Sequence, residues 1–189
     1  MKKLTISIIT IAFVCPFLTT QAQNNDNMQA MMAYATPGDA HKMLAKSAGT
    51  WSATVTFWMQ PGAAAMSSKA EATNEMIMGG RYLQSRDKGT VMGQPFEGVG
   101  VTGYDNAKKV YVNTWIDNFG TGIMTLTGTW DDASKSITFT GSMVDPVTGK
   151  DTPIREVLKI VDDNTQVMSM FYPVDGKDFK SMEITYTRK

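Results

Sequence analysis

Few residues on this chain can do chemistry. Histidine occurs once, as His41, and cysteine once, as Cys15, so zinc sites built on several histidines are excluded by count. The acidic residues number 18, but no pair of them can be placed across a cleft. Asp131-Asp132 and Asp162-Asp163 fall at expected turns, where aspartate bonds the local backbone. Neither stretch has the alternating oxygen spacing of a calcium loop. The sequence therefore offers no catalytic constellation, no metal-ligand set and no cofactor motif. Enzyme activity is not the expectation.

Residues suited to binding are easier to find. Tyr111, Asn113, Trp115 and Asp117 alternate with Val110, Val112, Thr114 and Ile116. One face of that strand is aromatic and polar, the other largely aliphatic, and the pattern leaves open which of them turns inward. Arg81 and Arg155 raise a related question: an inward arginine could receive a ligand carboxylate through two parallel bonds, whereas an outward one is a surface residue. Ligand-binding residues are thus sought among Arg81, Tyr111, Trp115 and Arg155. Met76 and Met78 share one strand face, and Met168 and Met170 another. Paired thioethers could hold Cu(I), but methionine more commonly serves as an adaptable apolar filler. His41 could ligate haem iron, although a packed residue of the first helix is the expectation.

The elements that would position these residues follow from a change of period. Thr36, Pro37 and Asp39 suit the start of a short helix with a Thr-x-x-Asp capping box, and Gly49 suits its end. His41, Leu44, Ala45 and Ala48 share its apolar face. From Trp51 onward the period is 2. Alternating runs follow at about 51–59, 68–78, 80–87, 90–104, 109–117, 122–130, 135–144, 153–161, 166–172 and 179–188, separated by turn signals such as Pro61-Gly62, Lys88-Gly89 and Asp175-Gly176. Short links leave no room for crossover helices, so an all-β, up-and-down antiparallel barrel of about ten strands with a short N-terminal helix is predicted. Gly98, Gly100 and Gly103 within one run permit the close approach that a closed sheet needs.

The N-terminus reads as an export signal over residues 1–22. Lys2 and Lys3 precede an apolar stretch, and Thr20-Gln21-Ala22 puts small residues at the −3 and −1 positions, so cleavage is expected before Gln23. Val14 and Ala12 do not fit a lipoprotein signal around Cys15, which argues against lipid attachment there. Cleavage would remove the only thiol and leave no transmembrane helix. It would also change the charge balance from 18 basic against 18 acidic residues to 16 against 18, a formal −2. With no clustered Lys and Arg, nucleic acid is not an expected partner. Residues 23–35 read as a flexible lead-in and 36–189 as one domain. The expected location is periplasmic or secreted, and oligomeric state is not legible.

Gly49-Thr50-Trp51 opens the first strand after a short helix and resembles the Gly-x-Trp start of calycins, the superfamily of lipocalins, fatty-acid-binding proteins and nitrobindin-like barrels. A wider set of pieces is similar to the bacterial family domain of unknown function 1579. These are His41 to Leu44, Met78-Gly79-Gly80-Arg81-Tyr82-Leu83, Phe96-Glu97-Gly98, Gly103-Tyr104-Asp105, and Tyr111 to Asp117 followed by Gly120-Thr121. The resemblance implies a fold and no reaction. It also implies one contact, Arg188 near the end of the last strand packed over the ring of Trp51 to close the barrel floor. On this basis the expected function is binding of a small, largely apolar ligand inside the barrel. The alternatives are a non-catalytic interaction barrel in the envelope, an enzyme of unknown reaction, or a haem or copper binder.

Overall fold

The computed structural model describes residues 18–189. Lys2, Lys3, Cys15 and most of the expected export signal lie outside the described residues. The chain divides into two units after Thr36. In the first, α1 (Leu18–Ala35) is helical, including residues 23–35 where no regular structure was expected. Ala, Met and Gln are strong helix formers, and no Gly or Pro interrupts the run before Pro37. From Gln23 on its side chains are exposed. Among the described residues no helix is long and apolar enough to cross a membrane.

The second unit begins with α2 (Asp39–Ala45) and continues as ten strands: β1 (Gly49–Phe57), β2 (Met66–Ile77), β3 (Tyr82–Val91), β4 (Gln94–Asp105), β5 (Val110–Asp117), β6 (Met124–Asp131), β7 (Ser136–Val144), β8 (Asp151–Asp162), β9 (Thr165–Val174) and β10 (Lys177–Arg188). Every strand pairs antiparallel with its sequence neighbours, and β1 pairs with β10 to close the barrel. The all-β, up-and-down order read from the alternation is the order observed.

Helix α2 ends at Ala45, short of the Gly49 expected to end it, and Ala45 is exposed and not part of the packed face. Two further local expectations change. The N-cap of α2 is Gly38, not Thr36, whose hydroxyl instead donates to the Met32 carbonyl. His41 Nδ1 accepts from the Gly38 N–H at 3.0 Å, so the imidazole does what the expected Asp39 carboxylate would have done. Second, the turn signal at Lys88-Gly89 lies inside β3, and the hairpin turns at Met92-Gly93. Both of those residues have positive φ, 51° and 77°, the backbone that a two-residue turn between right-twisted strands requires.

Because the strands alternate direction, α2 sits at one end of the barrel, against β3 and β4. Its buried Leu44 joins Leu83, Tyr111, Leu126, Ile137 and Phe139 in a core at that closed end. At the other end the strands terminate around Phe57, Val91, Asp117 and Val144. Apolar packing thus fills one end of the barrel and leaves the remainder to the lumen.

Candidate functional site

A cavity of about 400 Å³ occupies the lumen. Its wall is largely apolar and includes Val55, Phe57, Phe96, Met168, Met170 and Ile184. The Met168–Met170 face that the sequence offered as a copper site is part of this wall, with no His, Cys or carboxylate grouping that could complete a metal site among the described residues. Met92 and Met143, exposed at the strand ends away from α2, also line it, so the cavity reaches the surface at that rim.

β5 turns its aromatic-polar face inward: Asn113, Trp115 and Asp117 line the cavity. The indole of Trp115 lies against the inner face of β4, where a Cβ on Gly98 would come within 2.2 Å of its ring and one on Gly100 within 3.1 Å. Those glycines make room for the ring to lie flat on the wall. Trp115 Nε1 donates to Asp117 Oδ2 at 2.8 Å, which fixes the indole in place. Tyr111 lies deeper on the same face, buried in the closed-end core with its ring 4.8 Å from that of Tyr104. Burial pushes its hydroxyl up to about 12.

The two arginines are elsewhere. Arg155 lies on the outer face of β8, with its guanidinium bonded twice to Asp178 Oδ2 (3.1 and 2.7 Å) and 4.0 Å above the ring of Phe171. Arg81 follows the β2–β3 turn, where its Nη1 donates to the Met78 carbonyl. Neither lines the lumen. Parity explains Arg155: its neighbours Ile154 and Glu156 are the buried residues of that strand.

At the floor the Arg188 guanidinium sits 4.1 Å over the ring of Trp51. It donates to the carbonyls of Lys46, Ala48 and Asp163, tying the end of α2 and the β8–β9 turn to the end of β10. Ser47 lies beneath it as a buried hub: its carbonyl accepts from Trp51 Nε1 and Asn74 Nδ2, and its hydroxyl from Gln166 Nε2. His41 belongs to this end too, with its ring edge-on to Tyr104 and its pKa lowered chiefly by burial.

The groups with the most perturbed chemistry are ones that motif reading passed over. Glu156 is 8% exposed and lines the lumen, and among the described residues none makes a hydrogen bond or ion pair with its carboxyl group. Desolvation pushes its carboxyl up to about 7. Asp87 is buried on the same wall; burial raises its pKa against the lowering effect of the Ser85 hydroxyl, which donates at 2.5 Å. Tyr186 lines the lumen as well, its hydroxyl raised first by burial and then by the charges of Asp87 and Glu156. A signal for Glu156 existed in the sequence. It occupies the inward step between Ile154 and Leu158, where an apolar residue belongs.

The fold and lumen define the chain as a closed antiparallel β-barrel with an internal cavity. The family described as "Protein of unknown function (DUF1579)" matches residues 36–188, and the chain belongs to that family. Among solved structures it is similar to Rv2717c from M. tuberculosis, at 14% identity and a TM-score of 0.60, over 82% of this chain and 99% of that one. It is also similar to a redesigned β-barrel, at 15% identity and a TM-score of 0.40, over 77% of this chain and 94% of that one. No curated protein matches the chain.

Proposed function

We propose that this protein is an exported container that holds a small, largely apolar ligand in the barrel lumen. The observation that carries the reading is the lumen itself. Its volume of about 400 Å³ lies within the range of roughly 300–1,000 Å³ typical of small-molecule sites. An apolar wall with a few polar groups has the composition such sites use to combine affinity with orientation. Of the four residues singled out from the sequence, Trp115 supports the reading from the wall and Tyr111 from beneath it, while the outward arginines do not.

The test is a fluorescence titration against a panel of lipophilic probes, in parallel on wild type and Trp115→Phe. A saturable emission change that the Trp115→Phe variant loses is expected. A panel that leaves the emission of all the tryptophans unchanged would sink the proposal. Export is tested separately by sequencing the N-terminus of protein made in a cell with a secretory pathway, with Gln23 as the expected first residue.

A second reading is favoured by Glu156. A carboxyl group titrating near 7 beside an apolar cavity has the pKa expected of a general acid or base. It requires turnover of a lipophilic substrate that Glu156→Gln abolishes while binding persists.

A further inference from the structure

The charged groups of the lumen are all of one sign among the described residues. Among those residues three carboxylates line it, from Asp87, Asp117 and Glu156, and no Lys, Arg or His does so. Asp117 is already engaged, accepting from Trp115 Nε1 at 2.8 Å and from the Phe119 N–H at 2.9 Å. Asp87 has one donor, the Ser85 hydroxyl. Glu156 has none among the described residues, although it is more than nine-tenths buried and flanked across the sheet by Phe139 and Met170, whose side chains have no donor to offer. Asn74 adds to the surplus: its amide nitrogen is committed to the Ser47 carbonyl, which leaves its Oδ1 without a donor. The charges of Asp87 and Glu156 both act on Tyr186, while burial alone, and not Asp87, raises Glu156.

A ligand suited to this interior brings hydrogen-bond donors and positive charge. A fatty acid does the reverse. Its carboxylate would add negative charge to a desolvated acidic site whose described lining holds no cation, an arrangement that disfavours the ionised form. A primary ammonium carries three donors and one positive charge on a small centre, and charge-assisted bonds to carboxylates are the stronger kind. The methionine-rich wall can adapt to an alkyl chain of variable shape.

We propose that the lumen takes lipophilic primary amines, with the ammonium held by Glu156, Asp87 adding to the negative charge of the lumen, and the alkyl chain along the wall of Met168, Met170 and Met182. This rests on the reading of the lumen as a ligand site and names the class of ligand it selects.

The experiment compares dodecylamine, dodecanol and dodecanoate below their micelle-forming concentrations, at fixed pH and salt, with Trp115 emission as the readout. Wild type is expected to bind the amine at least about tenfold more tightly than the alcohol, and the carboxylate most weakly. In Glu156→Gln/Asp87→Asn the amine preference should fall to within about twofold of the alcohol, whose affinity should hardly change. Dodecanoate binding as tightly as dodecylamine would overturn the amine assignment, as would dodecanol binding with no preference for the amine; in either case the lumen remains a ligand site. If none of the three probes binds, the amine assignment fails, and if the wider lipophilic panel is also silent the container reading fails with it. The wild-type ranking decides the matter even if the double variant does not fold.

Discussion

Glu156 is held in the fold at an energetic disadvantage. Its ordinary value is 4.5, and desolvation moves it to about 7 in the folded barrel. The folded state therefore holds the proton more tightly than the unfolded chain does. Stability is greatest below the unfolded value and declines as pH rises from about 4.5 through about 7, by roughly 3 kcal/mol at about 1.36 kcal/mol per pH unit. Asp87, also raised by burial, adds to the trend in the same direction. Glu156→Gln removes the Glu156 part, so it should exceed wild type in stability at mildly alkaline pH and approach it in acid. Urea denaturation midpoints at the two pH values measure this, and a difference that stays constant with pH would contradict it. At this scale the sequence was only partly legible. Trp115 stood out by its spacing with Tyr111 and Asp117, because aromatic-polar alternation is visible in a single strand. Glu156 and Asp87 come to line one lumen only when β3 and β8 close into the barrel, which no local pattern specifies. Arg155 misled for the complementary reason: the chemistry of its side chain is visible in the sequence, but its parity depends on the register of β8.

The floor belongs to the scale of elements, where one arginine joins three of them. Arg188, in β10, covers Trp51 in β1 and bonds carbonyls at the end of α2 and in the β8–β9 turn. The cation–π contact is worth about 0.5–2 kcal/mol, and each bond to a charged donor adds to it. Arg188→Ala should lower stability by about 2 kcal/mol, with solvent exposure of part of the guanidinium limiting the loss. Arg188→Lys should recover less than half of that, since a point ammonium cannot reach diverging carbonyls as a planar fork does. Equilibrium denaturation checks both, and a lysine variant as stable as wild type would show that charge alone closes the floor. Gly49 fits the same arrangement: its φ is +123°, and a Cβ there would come within 2.7 Å of Arg188 Nη1. The Gly-x-Trp start was therefore readable as a motif, while the reason for its glycine is the arginine that arrives from the far end of the domain. Helix α2 was legible through its apolar face at His41 and Leu44. Its cap was not, because an imidazole at the third helical position took the place of the expected carboxylate.

For the whole molecule, the decisive step is closure. Nine of the ten strand pairings join neighbours in sequence through short turns, which is why strand count and order could be read from alternation and turn residues. The tenth, β1 with β10, brings Trp51 opposite Arg188 and is the longest-range pairing in the barrel. Its loop-closure entropy must be overcome before its contacts repay it, so it should make folding slower than the local hairpins alone would. The same pairing removes both free edges of the sheet and completes the lumen wall with Met182, Ile184 and Tyr186. A chain ending at Gly176 lacks β10 and so loses the floor cation, part of the cavity wall and the partner of both β1 and β9. The remaining strands would expose two long edges with half-apolar faces, a template for pairing between molecules. Such a truncation should aggregate or remain unfolded in size-exclusion chromatography and show no cooperative urea transition. A monomeric, cooperatively unfolding truncation would mean that the hairpins suffice without the ring. The lumen would then be a consequence of packing in the open sheet and not of closure.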